Sequence, residues 1–199
     1  MARERMTRQD RYGQLVALAW SLVHELGADE LTLGRLAERA GVTKPVVYSH
    51  FASRNALLVA LFEEYDDRQT AALQRAVDDA DATVPARARA IATSYVDCVV
   101  GQGPELLGVA AALEGSPELA AFKRRSETAY AGQLTSILAS VDGGAVVTTP
   151  TMTGVLGAAE ALSTAAAAGD MTRDVAVHEL ATVIETTVER SRLAHRSPR

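Results

Sequence analysis

The residues with the most pointed chemistry fall in one run, residues 31–58, LTLGRLAERAGVTKPVVYSHFASRNALL. It gathers hydroxyls (Thr32, Thr43, Tyr48, Ser49), one lysine (Lys44), three arginines (Arg35, Arg39, Arg54) and His50 around a Gly41-Val42 step. Hydroxyls and cations of this kind hold phosphate oxygens, and a lysine with apolar neighbours at the open end of a helix can read base edges. Such work needs elements that keep these groups on one outward face. The spacing supplies them. Thr32 caps a short helix carrying Leu33, Leu36, Ala37 and Ala40, which Gly41 ends. Thr43 caps a second helix, Lys44 to about Ser49, with Pro45 in the first turn where its missing N–H costs nothing. Ala37 is small where the two helices cross, and Gly41 permits the positive φ that the turn demands. Leu36, Ala40, Val42 and Val47 face the first helix of the group. The pair reads as a helix-turn-helix, whose second helix enters a DNA major groove by its N-terminal end when the motif binds nucleic acid. A purely structural helix-turn-helix is the other reading of the same spacing.

The elements around it are helical as well. Tyr12, Leu15, Val16, Ala19, Leu22, Val23 and Leu26 recur at three- and four-residue steps and predict an amphipathic helix from Arg8 to Leu26, stopped by Gly27. Ser53 caps a fourth helix that runs to about Val77. Beyond it the breakers Gly101, Gly103, Gly115-Ser116-Pro117, Gly143-Gly144 and Gly169-Asp170 divide the chain into further helices. These span Pro85 to about Val100, Glu105–Leu113, Glu118–Val141, Thr151–Ala168 and, capped by Thr172, a last one to about Ala194. His195 to Arg199 is expected to fray. The fold expected is all-α with about nine helices.

Charge and composition narrow the function. The 199 residues are 48% hydrophobic, too many for a disordered chain, and contain no apolar run long enough for a membrane span. The net charge of -5 is uneven: eight basic against six acidic residues in 1–56, twelve against nineteen in 57–199. That split fits a small module meeting a polyanion on a larger body that does not, and chance is the plain alternative. The arginine-rich start leads into no signal-peptide core, so a cytoplasmic chain is expected. Enzyme chemistry finds no support. His24, His50, His178 and His195 lack metal-ligand spacing, Cys98 stands alone on an apolar helix, and no Gly-rich phosphate loop follows a strand. No catalytic residue, metal site or cofactor is expected. Trp20 is expected to pack rather than to bind a ligand.

Taken at their offsets, Thr32, Leu36, Ala37, Ala40-Gly41-Val42-Thr43-Lys44, Val47-Tyr48, His50-Phe51, Ser53-Arg54 and Ala56-Leu57-Leu58 resemble the DNA-binding domain of the TetR family of transcriptional regulators. The resemblance covers about residues 10–60; the rest agrees only in helix number and length. It implies that Thr43 and Tyr48 contact phosphates, that Lys44, Pro45 and Val46 reach the groove floor, and that Ser49 and His50 follow along the recognition helix. It implies a phosphate contact at Arg54 and places Thr32 in the DNA-contacting set. Many members carry a base-reading side chain near the position of Gly34, so Arg35 or Arg39 is expected to contribute instead.

The same resemblance implies a DNA-binding domain over 1–56 and a helical ligand-binding and dimerisation domain over 57–199. For the ligand cavity it points to Tyr95, Val99, Leu106, Leu107, Phe122, Tyr130 and Glu160, each of which an ordinary packed core would also explain. Asp97 and Glu160 are the acids on otherwise apolar helices of that region, and no cation shares those stretches. A neutral or cationic, largely apolar effector is therefore favoured there. Gly154, Gly157, Ala158 and Ala161 on one late helix, with Leu180, Ile184, Thr187 and Val188 on the next, read as half of a two-fold four-helix interface. Burial of that face inside one chain is the alternative. The expected protein is a homodimer on double-stranded DNA, most simply a repressor released by a small molecule. Control by a protein partner without a small-molecule pocket, and a helical adaptor that binds no DNA, are the rival readings.

Overall fold

The computed structural model describes residues 6–102, 104–141 and 147–196; among these the chain is all-α, with no strand. Nine α-helices follow in order among the described residues: α1 (Arg8–Leu26), α2 (Leu33–Ala40), α3 (Lys44–Tyr48), α4 (Arg54–Asp78), α5 (Val84–Gln102), α6 (Pro104–Leu113), α7 (Pro117–Ala139), α8 (Thr149–Ala168) and α9 (Arg173–Arg196). Their starts follow the caps. Thr7 and Asp10 form a reciprocal capping box on α1. The hydroxyls of Thr32, Ser53 and Thr172 accept from the backbone N–H groups of Arg35, Ala56 and Val175 at 3.2, 3.2 and 3.3 Å. Two features depart from the sequence reading. A 3-10 turn, Ala28–Glu30, precedes α2, and α9 stays helical through Arg196 instead of fraying at His195. The expected stop at Gly143-Gly144 lies outside the described residues. No single helix among the described residues is long and apolar enough to cross a membrane.

The chain forms two compact units. The first comprises the residues up to Tyr65 together with Pro104–Lys123, the second Asp66–Gly103 together with Arg124–Arg199. In the first, the α1 stripe is buried at Leu15, Val16, Ala19, Leu22 and Val23, while its two ends, Tyr12 and Leu26, remain exposed. Leu36, Val47, Phe51, Leu57 and Leu58 close over it, each almost fully buried. Side chains of this size contribute roughly 1.5–3 kcal/mol apiece when removed from water, enough to hold the short α2 and α3 against α1 and the start of α4. Trp20 packs here, and its indole N–H donates to Glu64 of α4 at 2.9 Å.

The second unit is built on α5, α8 and α9, which pack mutually, with α7 joining the same core through Ala131, Leu134 and Leu138. This corrects one expectation. Leu180, Ile184, Thr187 and Val188 of α9 are buried in the chain's own core, so they do not present a face to a second copy. The physical reason is periodicity: one apolar stripe serves an internal neighbour as well as an external one, and here α5 and α8 occupy it. On α8, Gly154, Gly157 and Ala161 are exposed and Ala158 is half-buried. No atom lies within 4 Å of where a Cβ on Gly154 or Gly157 would stand.

Candidate nucleic-acid interface

The turn between α2 and α3 sets the geometry. Gly41 ends α2 at φ 63°, ψ 33°, and the N–H of Val42 donates to the carbonyl of Ala37 at 3.0 Å. The reversal seats Val47 in the core with no exposed surface and turns the rest of α3 outward. Thr43, Lys44, Pro45, Tyr48 and Ser49 are exposed, Tyr48 by 54%, and Val46 and His50 are half-buried. A phenol so exposed on a five-residue helix gains little from packing. Its hydroxyl is free to meet something outside the chain. Thr43 occupies the cap position of α3 without using its side chain to cap, and Lys44 is the one cation within the helix.

The N-termini of α2 and α3 converge. A Cβ on Gly34 would stand 3.8 Å from Lys44 Cε and 3.9 Å from Thr32 Oγ1. The absent side chain at position 34 thus leaves the space along which the Lys44 stem lies. Arg35 pairs with Glu30 at 2.6 Å, and Arg39 forks onto Glu25 of α1 with bonds of 2.7 and 2.6 Å. The Arg39 guanidinium holds the Glu25 carboxyl below its usual range. Arg39 is therefore committed to bracing α2 on α1, whereas Arg35 stands on the exposed surface beside the Thr32 cap.

Three expected contact residues, His50, Ser49 and Arg54, have other occupations. His50 lies among rings, with centroids 6.3 Å from both Tyr12 and Phe51. Burial, together with the nearby Arg8 and Arg11, holds its imidazole below the ordinary 6.5. Arg8 also donates to the carbonyl of Ser49 at 3.3 Å, tying the start of α1 to the end of the recognition helix. Ser49 turns its own hydroxyl onto the carbonyl of Val46 at 2.7 Å. Arg54 is the third case. Its Nε donates to the carbonyl of Leu31 at 2.9 Å and its Nη2 to that of Ala28 at 2.8 Å. Where an outward phosphate contact was expected at Arg54, the structure shows an inward fork on the backbone. Sequence spacing carries no sign of that, because the 3-10 turn supplying the acceptors was not expected.

The expected ligand set divides between the two units. Tyr95, Val99, Tyr130 and Glu160 belong to the second, Leu106, Leu107 and Phe122 to the first. Phe122 meets Phe62 edge-on at 6.0 Å; Leu106 is buried and Leu107 half-buried. Tyr95 and Tyr130 pair at 6.1 Å, and burial pushes both phenols up. The Tyr130 hydroxyl is buried without a hydrogen-bond partner. Val99 is buried beside Cys98, whose thiol burial also pushes up. The charges are placed differently from expectation. Glu160 is exposed, and Asp97 is a surface group forked by Arg173 at 2.5 and 2.8 Å. Arg87, expected in an exposed run, is half-buried and donates to the carbonyl of Val77. The two acids thus give no reason to favour a cationic effector.

Residues 15–61 match the family described as bacterial regulatory proteins, tetR family. The HTH-type transcriptional activator FasR of Mycolicibacterium smegmatis is 33% identical over 73 residues, 37% of this chain and 33% of that protein. The tetracycline repressor protein class A from transposon 1721 of Escherichia coli is 42% identical over 66 residues, 33% of this chain and 31% of that protein. The chain spans about a third of the length of these curated relatives. Solved structures extend the likeness further. A protein of Pseudomonas aeruginosa PAO1, thought there to be a transcriptional regulator, superposes with a TM-score of 0.78 over 96% of this chain and 97% of its own, at 15% identity. FadR of Bacillus subtilis, solved with stearoyl-CoA, does so with a TM-score of 0.70 over 89% and 97%, at 19% identity. At these identities the likeness is one of fold.

Proposed function

From the match of residues 15–61 to the tetR family of bacterial regulatory proteins, we propose that the chain is a member of that family, a DNA-binding transcriptional regulator acting as a homodimer on a two-fold operator. The observation that carries the reading is the outward presentation of Thr43, Lys44, Pro45 and Tyr48 on α3, with Val47 anchored beneath them. Thr43 and Tyr48 supply hydroxyls to phosphates, Lys44 with Pro45 and Val46 meets the groove floor, and Thr32 and Arg35 contribute from the start of α2. Ser49 and His50 close the end of the helix against α1 and stand beside the phosphate path. DNA recognition resides in the N-terminal helices, 1–56, and regulation in 57–199.

For the regulated state we propose release by a small, mainly apolar molecule, with repression as its simplest outcome. The support is the buried, unpartnered Tyr130 hydroxyl beside Tyr95, a polar handle in apolar surroundings. FadR, solved with stearoyl-CoA, gives a ligand with a long apolar acyl chain in a similar fold, its coenzyme A part being anionic. Pairing of two copies is proposed along the exposed small-residue face of α8, where Gly154, Gly157 and Ala161 let backbones approach.

The test is a selection of duplexes from a randomised pool, followed by affinity measurements at one salt concentration. Tyr48→Phe removes one phosphate contact and weakens all bound duplexes about equally. Lys44→Ala relaxes base preference at one position, by roughly 1–3 kcal/mol if the lysine reads a base. Unchanged affinity in both variants would remove α3 from the interface.

A further inference from the structure

We infer that Arg54 is a positioning residue for DNA recognition: it fixes the N-terminal end of α2 by gripping the 3-10 turn in front of it, and it does not itself bind phosphate. The inference rests on the DNA-binding reading above and departs from the role that the family pattern implies for this position. Its basis is the direction of the guanidinium. Nε and Nη2 point inward to Leu31 and Ala28, with bonds of 2.9 and 2.8 Å, from a side chain that is itself half-buried. Both acceptors belong to residues that are nearly inaccessible, Leu31 at 1% and Ala28 at 5% exposure.

The Leu31 carbonyl lies just past the end of the 3-10 turn, where carbonyls lack a partner within the turn and a cation is favoured by the turn's own dipole. Here the Ala28 carbonyl also receives the N–H of Leu31 at 3.2 Å, so the fork completes an exit already bent back on itself. One residue later the chain reaches Thr32, whose hydroxyl caps α2, and two further on it reaches Gly34 beside Lys44. The placement of these contact residues relative to α4 is therefore set at the turn. Its other side is closed by α6: a Cβ on Gly108 would stand 3.5 Å from the Cβ of Ala28. A planar fork spans two acceptors at fixed geometry, which a lysine ammonium on a flexible stem does not reproduce.

Lysine and methionine at position 54 separate positioning from phosphate binding. The probes are a duplex enriched by the wild-type chain from a randomised pool and a scrambled duplex of the same length and composition. The expected result is that Arg54→Lys and Arg54→Met each lose about tenfold in affinity for the enriched duplex while holding the scrambled one within about twofold, because contact geometry fails and general charge attraction does not. Amide exchange across residues 28–33 should rise about tenfold in both variants and stay unchanged in α1. Arg54→Lys binding the enriched duplex like the wild type would overturn the inference. So would a salt slope flattened by ~0.9 per half-site in Arg54→Met, the mark of one lost phosphate contact. Equal losses on both duplexes with faster exchange throughout would mean a role in folding alone, and would overturn it too. A wild-type chain that enriches no duplex would overturn the DNA-binding reading and, with it, this one.

Discussion

From Thr32 to Phe51 the backbone changes course repeatedly, and each change has a local cause: the Thr32 cap, the left-handed Gly41, the proline in the first turn of α3. In the second unit α5, α8 and α9 run for 19 to 24 residues with few such instructions. The polar groups are arranged differently as well. In the first unit they tie elements to one another, as in Arg39 to Glu25, Trp20 to Glu64 and Arg54 to two carbonyls. In the second, the hydroxyls of Ser94, Tyr130 and Ser163 are buried without partners. The outward face of α3 stands on a cross-braced support, whereas the larger bundle, though tied by Arg173 to Asp97 and by Arg87 to the Val77 carbonyl, leaves buried hydroxyls over. A surface meant for a rigid groove gains from the first design. A core that is to accept a guest can tolerate the second.

The largest expected effect tests which faces of that bundle are internal. Ile184 is 1% exposed on α9, so Ile184→Glu places a carboxylate in the core and should destabilise the chain by about 4 kcal/mol or more. Gly157→Arg, on the open face of α8, should leave stability unchanged or raise it by up to about 1 kcal/mol, because arginine forms helix better than glycine. The two variants are compared by urea denaturation and light scattering. Gly157→Arg should yield a folded monomer, and Ile184→Glu should yield largely unfolded chain. A folded, monomeric Ile184→Glu would return α9 to the interface and erase the contrast.

A smaller effect isolates the turn. No atom lies within 4 Å of a Cβ at Gly41, so the strain of Gly41→Ala comes from its positive φ alone, about 1–2 kcal/mol. Asparagine visits that region more readily, so Gly41→Asn should cost clearly less in the same urea titration. Equal costs would shift the cause from backbone conformation to packing.

These two sites also mark how far the sequence could be read. The helices and most of their ends were legible because caps, proline positions and turn glycines act within four residues of themselves. The recognition face was legible for the same reason: Val47 buried and Tyr48 exposed follow from one helical step. The stripe Leu180, Ile184, Val188 was equally visible, but periodicity says that a face is buried and not what buries it. Arg54 escaped for a related reason. Its partners are carbonyls of a turn more than twenty positions away, and backbone acceptors have no sequence signature.

Tyr130 offers the next effect in size. A buried hydroxyl with no partner carries a desolvation cost that its bonds do not offset, so Tyr130→Phe should raise stability by about 1 kcal/mol. The ring pair with Tyr95 would be kept. The readout is the urea midpoint, with operator release by apolar compounds measured beside it. A destabilised Tyr130→Phe would mean that the hydroxyl has an internal partner and is no handle for a ligand.

The smallest expected effect lies back in the braced unit, at His50. Burial first, then the charges of Arg8 and Arg11, hold its imidazole below the ordinary 6.5, so the folded chain disfavours the imidazolium and the unfolded chain accepts it. Between the two values the unfolded state binds more protons, and stability therefore rises with pH across that window. The contribution is fully present above about 6.5 and is lost as pH falls through the lower, folded value. Glu25 and Glu105 shift in the same direction, but their windows lie below their ordinary 4.5, which keeps them apart from the histidine. His50→Gln should accordingly flatten the change in urea midpoint between about pH 7 and pH 5 while leaving the acid limb in place. Such a result would place the end of the recognition helix within the braced core, with Tyr12 and Phe51 as its neighbours. Matching slopes in the two proteins would mean that the ring is solvated, and the braced core of the first unit would then stop at Ser49.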